Sequence, residues 1–234
     1  MIISGWWLFI ETSGRAANLG IAKDGEMIEI RALAEARRHA RDMAATTQSM
    51  LNAAGTRLRD ISGVVVSRGP GSYTGLRVGM ISAQTLAYAT GCPLVQVDTF
   101  ASIAVQTPEP FDRVEIISDA QQEFVYTQSF ERDRKTNQWI AMNELRIAAI
   151  ATWAEGVPDG VPISGTGIAT YSSLIPERIV RLPEIFRQPT ADGLLAVVRS
   201  GSIHAMITPV NEATPLYLRG SSAEEKLKRN GSTA

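Results

Sequence analysis

Three strand-like runs follow one another at the start of the chain: WWLFIE, AANLGIAKD and EMIEIRALAE. Asp24-Gly25 separates the second run from the third, and this pair is a strong signal for a two-residue β-hairpin. Strands joined by such short turns pair in antiparallel fashion. The chain is therefore predicted to begin as an antiparallel meander.

Helical and strand patterns alternate after the meander. One helical face of apolar or small residues runs from His39 to Ala54, GVVVS at 63–67 is an apolar strand, and Leu76 to Thr90 is helical again. Gly91 and Pro93 end that helix, and PLVQVD is a further buried strand. The first half thus has the order β-β-β-α-β-α-β, a meander that passes into α/β crossovers.

The second half repeats this order more loosely. RVEIISDA, EFVYTQSFER and QWIAMNELRIA predict three strands, and helical IAAIATWAE, the strand VPISG, helical GIATYSSLI and a C-terminal helix, ADGLLAVVRSGSIHAM, follow. Two copies of one topology indicate a structural duplication in an α/β protein. The predicted lobes are residues 1–106 and 107–218, joined at the two-proline linker QTPEPFD, and the polar tail at 219–234 is expected to be disordered.

Composition restricts the class of protein. The chain has 234 residues and is 44% hydrophobic, which is enough for a substantial core. A net charge of −1 gives no global attraction to nucleic acid or to anionic membranes, and the single cysteine, Cys92, excludes an internal disulfide. The apolar start is too short for a membrane span and lacks the basic region of a signal peptide, so a cytoplasmic protein without a membrane partner is expected.

A glycine-rich segment, SRGPGSYTGLRVG at 67–79, lies between a strand and a helix, where backbone N–H groups can bind phosphate. Its spacing, G-x-G-x-x-x-G, is one residue longer than the dinucleotide fingerprint, and it lacks the lysine of a Walker loop. The alternative is a tight turn that caps the following helix. The candidate phosphate-loop residues are Gly69, Gly71, Ser72, Thr74 and Gly75, with Arg68 and Arg77 available for an anion.

Two helical faces are adapted to close packing. Gly75, Gly79, Ala83 and Ala87 recur every four residues and allow another element to approach closely. The first predicted helix has a methionine-rich face, which suits an adaptable contact. Either face is core or contact surface on this pattern alone.

Catalytic signatures are not found. The two histidines, His39 and His204, are far apart in sequence and have no ligand-like neighbours, so no metal site is predicted. No nucleophile motif is present, which leaves a hydrolase without support. Asp119 ends a predicted strand, where it is either a catalytic carboxylate or a turn former. No catalytic residue is predicted.

The segments that carry a family resemblance span almost the whole chain. ETSGRAANLGIAKDG resembles the opening of the TsaB (YeaZ-type) proteins, SRGPGSYTGLRVGM is very similar to their most distinctive segment, and PLYLR near residue 215 resembles their C-terminal signature. EARRHARDM, SDAQQEFVY, ISGTG and PTADGLLAVV lie between them in the matching order.

The resemblance implies an actin-like, sugar-kinase-like (ASKHA) fold of two RNase H-like lobes, each with a mixed sheet. It implies a non-catalytic scaffold subunit of the bacterial machinery that makes N6-threonylcarbamoyladenosine (t6A) beside the anticodon of tRNAs reading codons that begin with A. The implied partners are the paralogous catalytic subunit TsaD, the small ATPase TsaE and a second copy of the chain. No cofactor of its own is expected, since ATP and metal belong to the partner subunits, and tRNA is contacted through the complex.

The family pairs through helices of its N-terminal lobe, which gives the two helical faces a candidate role. The partner-interface residues implied in this way are Met43, Thr47, Met50, Leu51, Leu76, Gly79, Met80, Ala83 and Ala87. The catalytic relative holds its metal through a His-x-x-x-His motif, whereas VDTFASIA here has Thr99 and Ile103 near those positions. The loss of both ligands favours a scaffold over a transferase.

Two positions depart from the family. Glu11 stands where Asp is common, which weakens an inherited nucleotide site, and Gln121-Gln122 replace a typical Arg-Arg pair, which weakens anion or tRNA contact there. The alternative function is an actin-like ATPase or small-molecule kinase that binds nucleotide at the glycine loop. A metallopeptidase is a third hypothesis, and it requires a bound metal.

Overall fold

A computed structural model of the chain describes residues 3–33 and 39–218. The end of the third predicted strand and the predicted tail at 219–234 lie outside the described residues. Within the described ranges, no helix is both long and apolar enough to cross a bilayer.

Residues up to 104 form the seven predicted elements in the predicted order, followed by a short helix, α3 (Thr99–Ala104), that the sequence pattern does not indicate. The strands are β1 (Trp6–Glu11), β2 (Asn18–Lys23), β3 (Glu26–Ala32), β4 (Ile61–Gly69) and β5 (Leu94–Asp98), and the helices are α1 (His39–Ala53), α2 (Tyr73–Thr90) and α3 (Thr99–Ala104). Asp24 adopts a positive φ of 51° in the predicted hairpin turn between β2 and β3. The meander and the crossovers of the first half are confirmed.

The remaining elements follow in a similar order. The strands are β6 (Arg113–Asp119), β7 (Phe124–Asp133), β8 (Gln138–Ala141), β9 (Arg146–Ala149), β10 (Ile163–Ser164) and β11 (Ala205–Thr208), and the helices are α4 (Ile150–Gly156), α5 (Gly167–Thr170) and α6 (Ala191–Arg199). The run QWIAMNELRIA is two strands, β8 and β9, which both pair with β7. The predicted single strand is wrong at this point.

The strands form two mixed sheets. The first has the order β11-β5-β4-β1-β2-β3, in which β1, β4 and β5 are parallel to one another and the outer strands are antiparallel. The second has the order β10-β6-β7-β8, with β9 also on β7. Strand β4 has neighbours on both sides and is buried along nearly its whole length, which explains its apolar sequence.

Apolar residues fill three layers around these sheets. One core lies between the first sheet and helices α1 and α2, and another lies between the second sheet and helices α4 and α5. The largest core combines α3 and α6 with residues of both sheets, for example Phe9 of β1 and Phe130 of β7. The two sheets therefore share one hydrophobic interior. This mixed α/β architecture confirms the predicted fold class.

The C-terminal part departs most from the sequence prediction. Helix α6 ends at Arg199 rather than continuing to Met206, because Gly201 adopts a positive φ of 67° and ends the helical path. The residues beyond form β11, which pairs with β5 of the first sheet. The predicted lobe boundary at residue 106 stays a prediction, but the first sheet is completed by residues from the far end of the chain.

Candidate functional site: the glycine loop and helix α2

The glycine-rich segment lies directly on the turn that follows β1. The Ser72 N–H donates to the Ser13 carbonyl at 2.8 Å, and the Thr12 hydroxyl donates to the Gly75 carbonyl at 2.8 Å. A Cβ atom on Gly71 would lie 2.5 Å from the Ser13 carbonyl oxygen, and a Cβ on Gly75 would overlap the Thr12 carbonyl oxygen. The glycines are therefore required by the close approach of two backbone segments.

The N–H groups of Gly69, Ser72 and Gly75 already have acceptors inside the chain. The Gly69 N–H donates to the Thr99 hydroxyl at 3.1 Å, and the Gly75 N–H donates to the Ser72 hydroxyl at 3.2 Å. Ser72 is the N-cap of α2, so the capped-turn alternative from the sequence describes this loop. A phosphate needs converging N–H groups without other acceptors. These three N–H groups are not available to a phosphate, and phosphate binding at the loop stays a prediction.

The nine predicted interface residues are buried within the chain itself. Met43, Met50 and Leu51 of α1 pack with Met80, Ala83 and Ala87 of α2 in the core beneath the first sheet. Thr47, Leu76 and Gly79 are buried as well. These residues contact the chain's own interior, because the small-residue stripe faces Thr12 and the strands rather than solvent, and their assignment to a partner interface stays a prediction.

The exposed side of α2 carries different residues. Ile81 is 58% exposed and Tyr88 is 84% exposed. Arg77 is exposed and lies over the ring of Tyr73, 5.6 Å from its centroid. We call Arg77, Ile81 and Tyr88 the outer face of α2. Large apolar side chains at this level of exposure on one helix are typical of a protein contact surface.

A C-terminal strap, residues 209–218, runs past α2 and ends beside the glycine loop. The side-chain amide of Gln84 donates to the Val210 carbonyl at 2.7 Å, and that of Gln96 donates to the Thr214 carbonyl at 2.8 Å. The ring of Tyr217 lies 4.8 Å from that of Tyr73 at the start of α2. Sequence reasoning missed this arrangement, although PLYLR marks the end of the strap.

A charged cluster joins the ends of three elements next to the loop. Asp98, at the end of β5, accepts from Arg68 Nε at 2.5 Å and lies 2.8 Å from His204 Nδ1. Burial by itself raises the pKa of Asp98, but the hydrogen bonds from His204 and Arg68 outweigh it and hold the pKa below its ordinary value. His204 lies in a segment with a helical pattern, and that pattern does not indicate a contact with Asp98.

Glu11 is the other carboxyl group at this end of the sheet, and it is fully buried. Its Oε1 accepts from the Ser13 N–H at 2.6 Å and from the Ser13 hydroxyl at 2.5 Å. Burial raises the pKa of Glu11, and the hydrogen bonds from Ser13 offset only part of that rise. The acid lies directly under the turn that supports the glycine loop.

The positions that correspond to the relative's metal ligands have structural roles here. Thr99 accepts the Gly69 N–H, and Ile103 is buried in the core shared by the two sheets. Among the described residues, no group of three or more His, Cys, Asp or Glu side chains is placed to hold a metal ion. These residues do not fit the transferase metal site.

Asp119 and the two glutamines form a turn. The Asp119 carboxylate accepts from the Gln121 N–H at 2.7 Å and from the Tyr171 hydroxyl at 2.6 Å. Gln121, Gln122 and Glu123 all have positive φ, between 55° and 64°. Asp119 is therefore a turn former, and an Asx-type contact holds the glutamines on the surface.

Known proteins share both the sequence and the fold. The family model of TsaD, tRNA N6-adenosine threonylcarbamoyltransferase, matches residues 33–224. The chain belongs to this family. Within the family it is a TsaB (YeaZ-type) protein. The tRNA threonylcarbamoyladenosine biosynthesis protein TsaB of Escherichia coli is 27% identical over 94% of this chain and 97% of the relative.

TsaB relatives and threonylcarbamoyltransferase relatives match this chain over different lengths. TsaB of Haemophilus influenzae is 24% identical over 94% of this chain and 96% of its own length. The tRNA N6-adenosine threonylcarbamoyltransferase of Geotalea uraniireducens is 36% identical, but over only 28% of this chain and 19% of its own length. YeaZ from Pseudomonas aeruginosa superposes with a TM-score of 0.74 over 92% of this chain and 100% of that chain, at 24% identity. That similarity shows a common fold.

Proposed function

We propose that this TsaB-type chain is a non-catalytic subunit required for transfer of the threonylcarbamoyl group to N6 of the adenosine beside the anticodon, in tRNAs reading codons that begin with A. The observation that carries the proposal is that the glycine loop packs against, and hydrogen-bonds to, other residues of the same chain. Its glycines and N–H groups pack against Thr12, Ser13 and Thr99 rather than remaining available for a substrate. Thr99 and Ile103 take the place of metal ligands, which further supports a scaffold role.

The proposed partners are the catalytic paralogue TsaD, the small ATPase TsaE and, in isolation, a second copy of the chain. The outer face of α2 is the proposed site of pairing, because it presents Ile81 and Tyr88 on a rigid 18-residue helix. The ATP and metal of the reaction are assigned to the partner subunits, and tRNA is contacted through the assembled complex. Its proposed location is the cytoplasm.

The decisive experiment measures t6A formation on tRNA with each component omitted in turn. The chain alone is expected to transfer no threonylcarbamoyl group, and adding it to TsaD, TsaE and threonylcarbamoyl-adenylate is expected to restore t6A formation. Full activity of TsaD and TsaE without this chain would overturn the proposal. Modification of tRNA by this chain alone would instead identify it as a transferase.

Nucleotide binding distinguishes the proposal from an ATPase or kinase. Calorimetry with the isolated chain is expected to detect no ATP binding at millimolar nucleotide, because the loop N–H groups have internal acceptors. Micromolar binding that Gly71→Val abolishes would favour the ATPase alternative. A stably bound metal found by elemental analysis would contradict the assignment of metal to TsaD.

A further inference from the structure

Glu11 is the one glutamate that the chain buries completely among its described residues. It ends β1, which pairs with β4 in parallel and with β2 in antiparallel fashion. Ile10 lies opposite Val66, so Glu11 and Ser67 are the next residues on two adjacent strands, and they project to the same side of the sheet. The turn beyond Glu11 is the surface on which the glycine loop lies.

The two carboxyl oxygens of Glu11 have different surroundings. Oε1 accepts two hydrogen bonds from Ser13, at 2.6 and 2.5 Å. Oε2 is buried and has no hydrogen-bond donor within the described chain, and the neighbouring hydroxyl of Ser67 is also buried without a partner. An ionised carboxylate would leave a charged acceptor in a dry site, which is costly. A proton on Oε2 removes this buried charge and gives Oε2 a hydrogen to donate to Ser67.

The nearby cationic side chains contact groups other than the Glu11 carboxyl group. The charged residues of the elements packed around Glu11 are Lys23 on β2, Arg68 on β4, Arg77 on α2, and Asp192 and Arg199 on α6. Lys23 lies over the Trp6 ring, Arg68 binds Asp98, and Arg77 lies over Tyr73. The influences on the pKa of Glu11 are burial and hydrogen bonds, with no charged group among them.

We propose that the folded chain holds Glu11 as a neutral carboxylic acid whose Oε2–H donates to the Ser67 hydroxyl. In this arrangement Oε1 orients Ser13, the Ser13 carbonyl accepts the Ser72 N–H, and Ser72 caps α2. Ionisation of Glu11 would place an uncompensated buried charge beneath the glycine loop and the first turn of α2. The inference concerns the fold and does not depend on the proposed function.

The pH dependence follows from linkage. The folded chain retains a proton on Glu11 above the pH at which the unfolded chain releases it, so the folded state binds more protons in that range. Stability then falls as pH rises from the ordinary glutamate value, about 4.3, toward the folded-state pKa of Glu11. Above that pKa the loss is complete. The shifted aspartates of the described chain act in the opposite direction and at lower pH.

The test compares Glu11→Gln with the wild type by chemical unfolding between pH 5 and 9. Glutamine keeps the acceptor for Ser13 and supplies a permanent donor to Ser67. The wild type is expected to lose stability as pH rises, whereas Glu11→Gln is expected to lose less. The matched control, Glu155→Gln, changes an exposed glutamate and should retain the wild-type slope. An identical slope for Glu11→Gln and the wild type would overturn the proposal.

A second measurement does not require a folded variant. Carbon-13 NMR of wild-type chain labelled at the glutamate carboxyl carbons follows each titration directly. One carboxyl carbon is expected to keep the chemical shift of a protonated glutamate at pH values well above the ordinary glutamate midpoint of about 4.3. This signal should be missing in Glu11→Gln. Titration of every glutamate near the ordinary midpoint would show that Glu11 is ionised, and it would overturn the proposal even if Glu11→Gln fails to fold.

Discussion

Thr12 and Ser13 explain why Gly71, Gly75 and Gly79 recur at intervals of four residues. A Cβ on Gly71 would crowd the Ser13 carbonyl oxygen, and a Cβ on Gly75 or Gly79 would overlap an oxygen of Thr12. Gly71 and Gly75 also belong to the candidate phosphate loop, because both arrangements bring another group close to the glycine backbone. Here the other group is the turn after β1.

Gly75→Ala tests this contact at the scale of one residue. The added methyl group meets a buried backbone carbonyl that cannot rotate away, so we expect the free energy of unfolding to fall by about 1–3 kcal/mol, as in overpacked cores. Urea unfolding measures the change. Gly156→Ala is the control, because a Cβ there has open space around it, and it should stay within about 0.5 kcal/mol of the wild type. Equal stability of the two variants would contradict the packing argument.

Helix α2 shows how an element can have two contact faces with different roles. Its small residues, including Gly79 and Ala83, face the sheet and are buried, whereas Ile81 and Tyr88 face solvent. A stripe of small residues on a helix indicates that another element packs closely against it. Which element that is depends on the rest of the fold. The partner face must then be sought among the exposed positions of the same helix.

Ile81→Asp tests the outer face of α2. We expect a loss of at least about tenfold in affinity for TsaD, because a carboxylate would be buried at an apolar contact, at a cost above 1.4 kcal/mol. Calorimetric titration of TsaD measures the affinity, and the variant should stay folded because residue 81 is exposed. Ile185→Asp places the same change at a residue that is 76% exposed outside α2 and should bind normally. Unchanged binding by Ile81→Asp would move the pairing surface elsewhere.

The Asp98 cluster joins β4, β5 and the segment before β11, so it belongs to the scale of elements. We expect Asp98→Asn to lower the free energy of unfolding at pH 7 by about 2–3 kcal/mol, through weaker hydrogen bonds to Arg68 and His204. The loss should shrink in acid. Because the pKa of Asp98 lies below its ordinary value of 3.8, its stabilising contribution is present above that pH and disappears as pH falls further.

Urea unfolding at pH 7 and pH 3 measures both effects of Asp98→Asn. Asp60→Asn is the control, since Asp60 bonds to Arg57 on the surface, where solvent screens the pair and its contribution to stability is small. Equal stability losses for Asp98→Asn at the two pH values would contradict the assignment of a stabilising charge to Asp98.

At the scale of the molecule, the two sheets depend on each other. The core shared by both sheets includes Phe9, Phe130 and residues of α6, and the first sheet takes its edge strand β11 from residues 205–208. A first lobe cut from the chain would lack α6 and β11 and would expose the apolar side of β1 and β4. The boundary at residue 106 is thus a prediction from the order of elements. Whether the first lobe folds by itself is a separate question.

The fragment 1–106 is therefore expected not to fold cooperatively when expressed alone, whereas the whole chain should unfold in one thermal transition. Circular dichroism and calorimetry on both proteins measure this. A buried apolar interior shared by two units couples their unfolding. A monomeric fragment with its own sharp transition would show instead that the first lobe is an independent domain.

Local patterns determined the order of most elements, the hairpin at Asp24-Gly25 and, as one of two alternatives, a capped turn before α2, because strand and helix periodicity, turn chemistry and capping act over a few neighbouring residues. The TsaB-type segments further predicted the fold. Tertiary structure alone decided which face of α2 is buried, where β11 pairs, and that Asp98 meets His204 across 106 residues of sequence. Burial and long-range charge contacts depend on which elements meet in space, and no local pattern specifies that meeting.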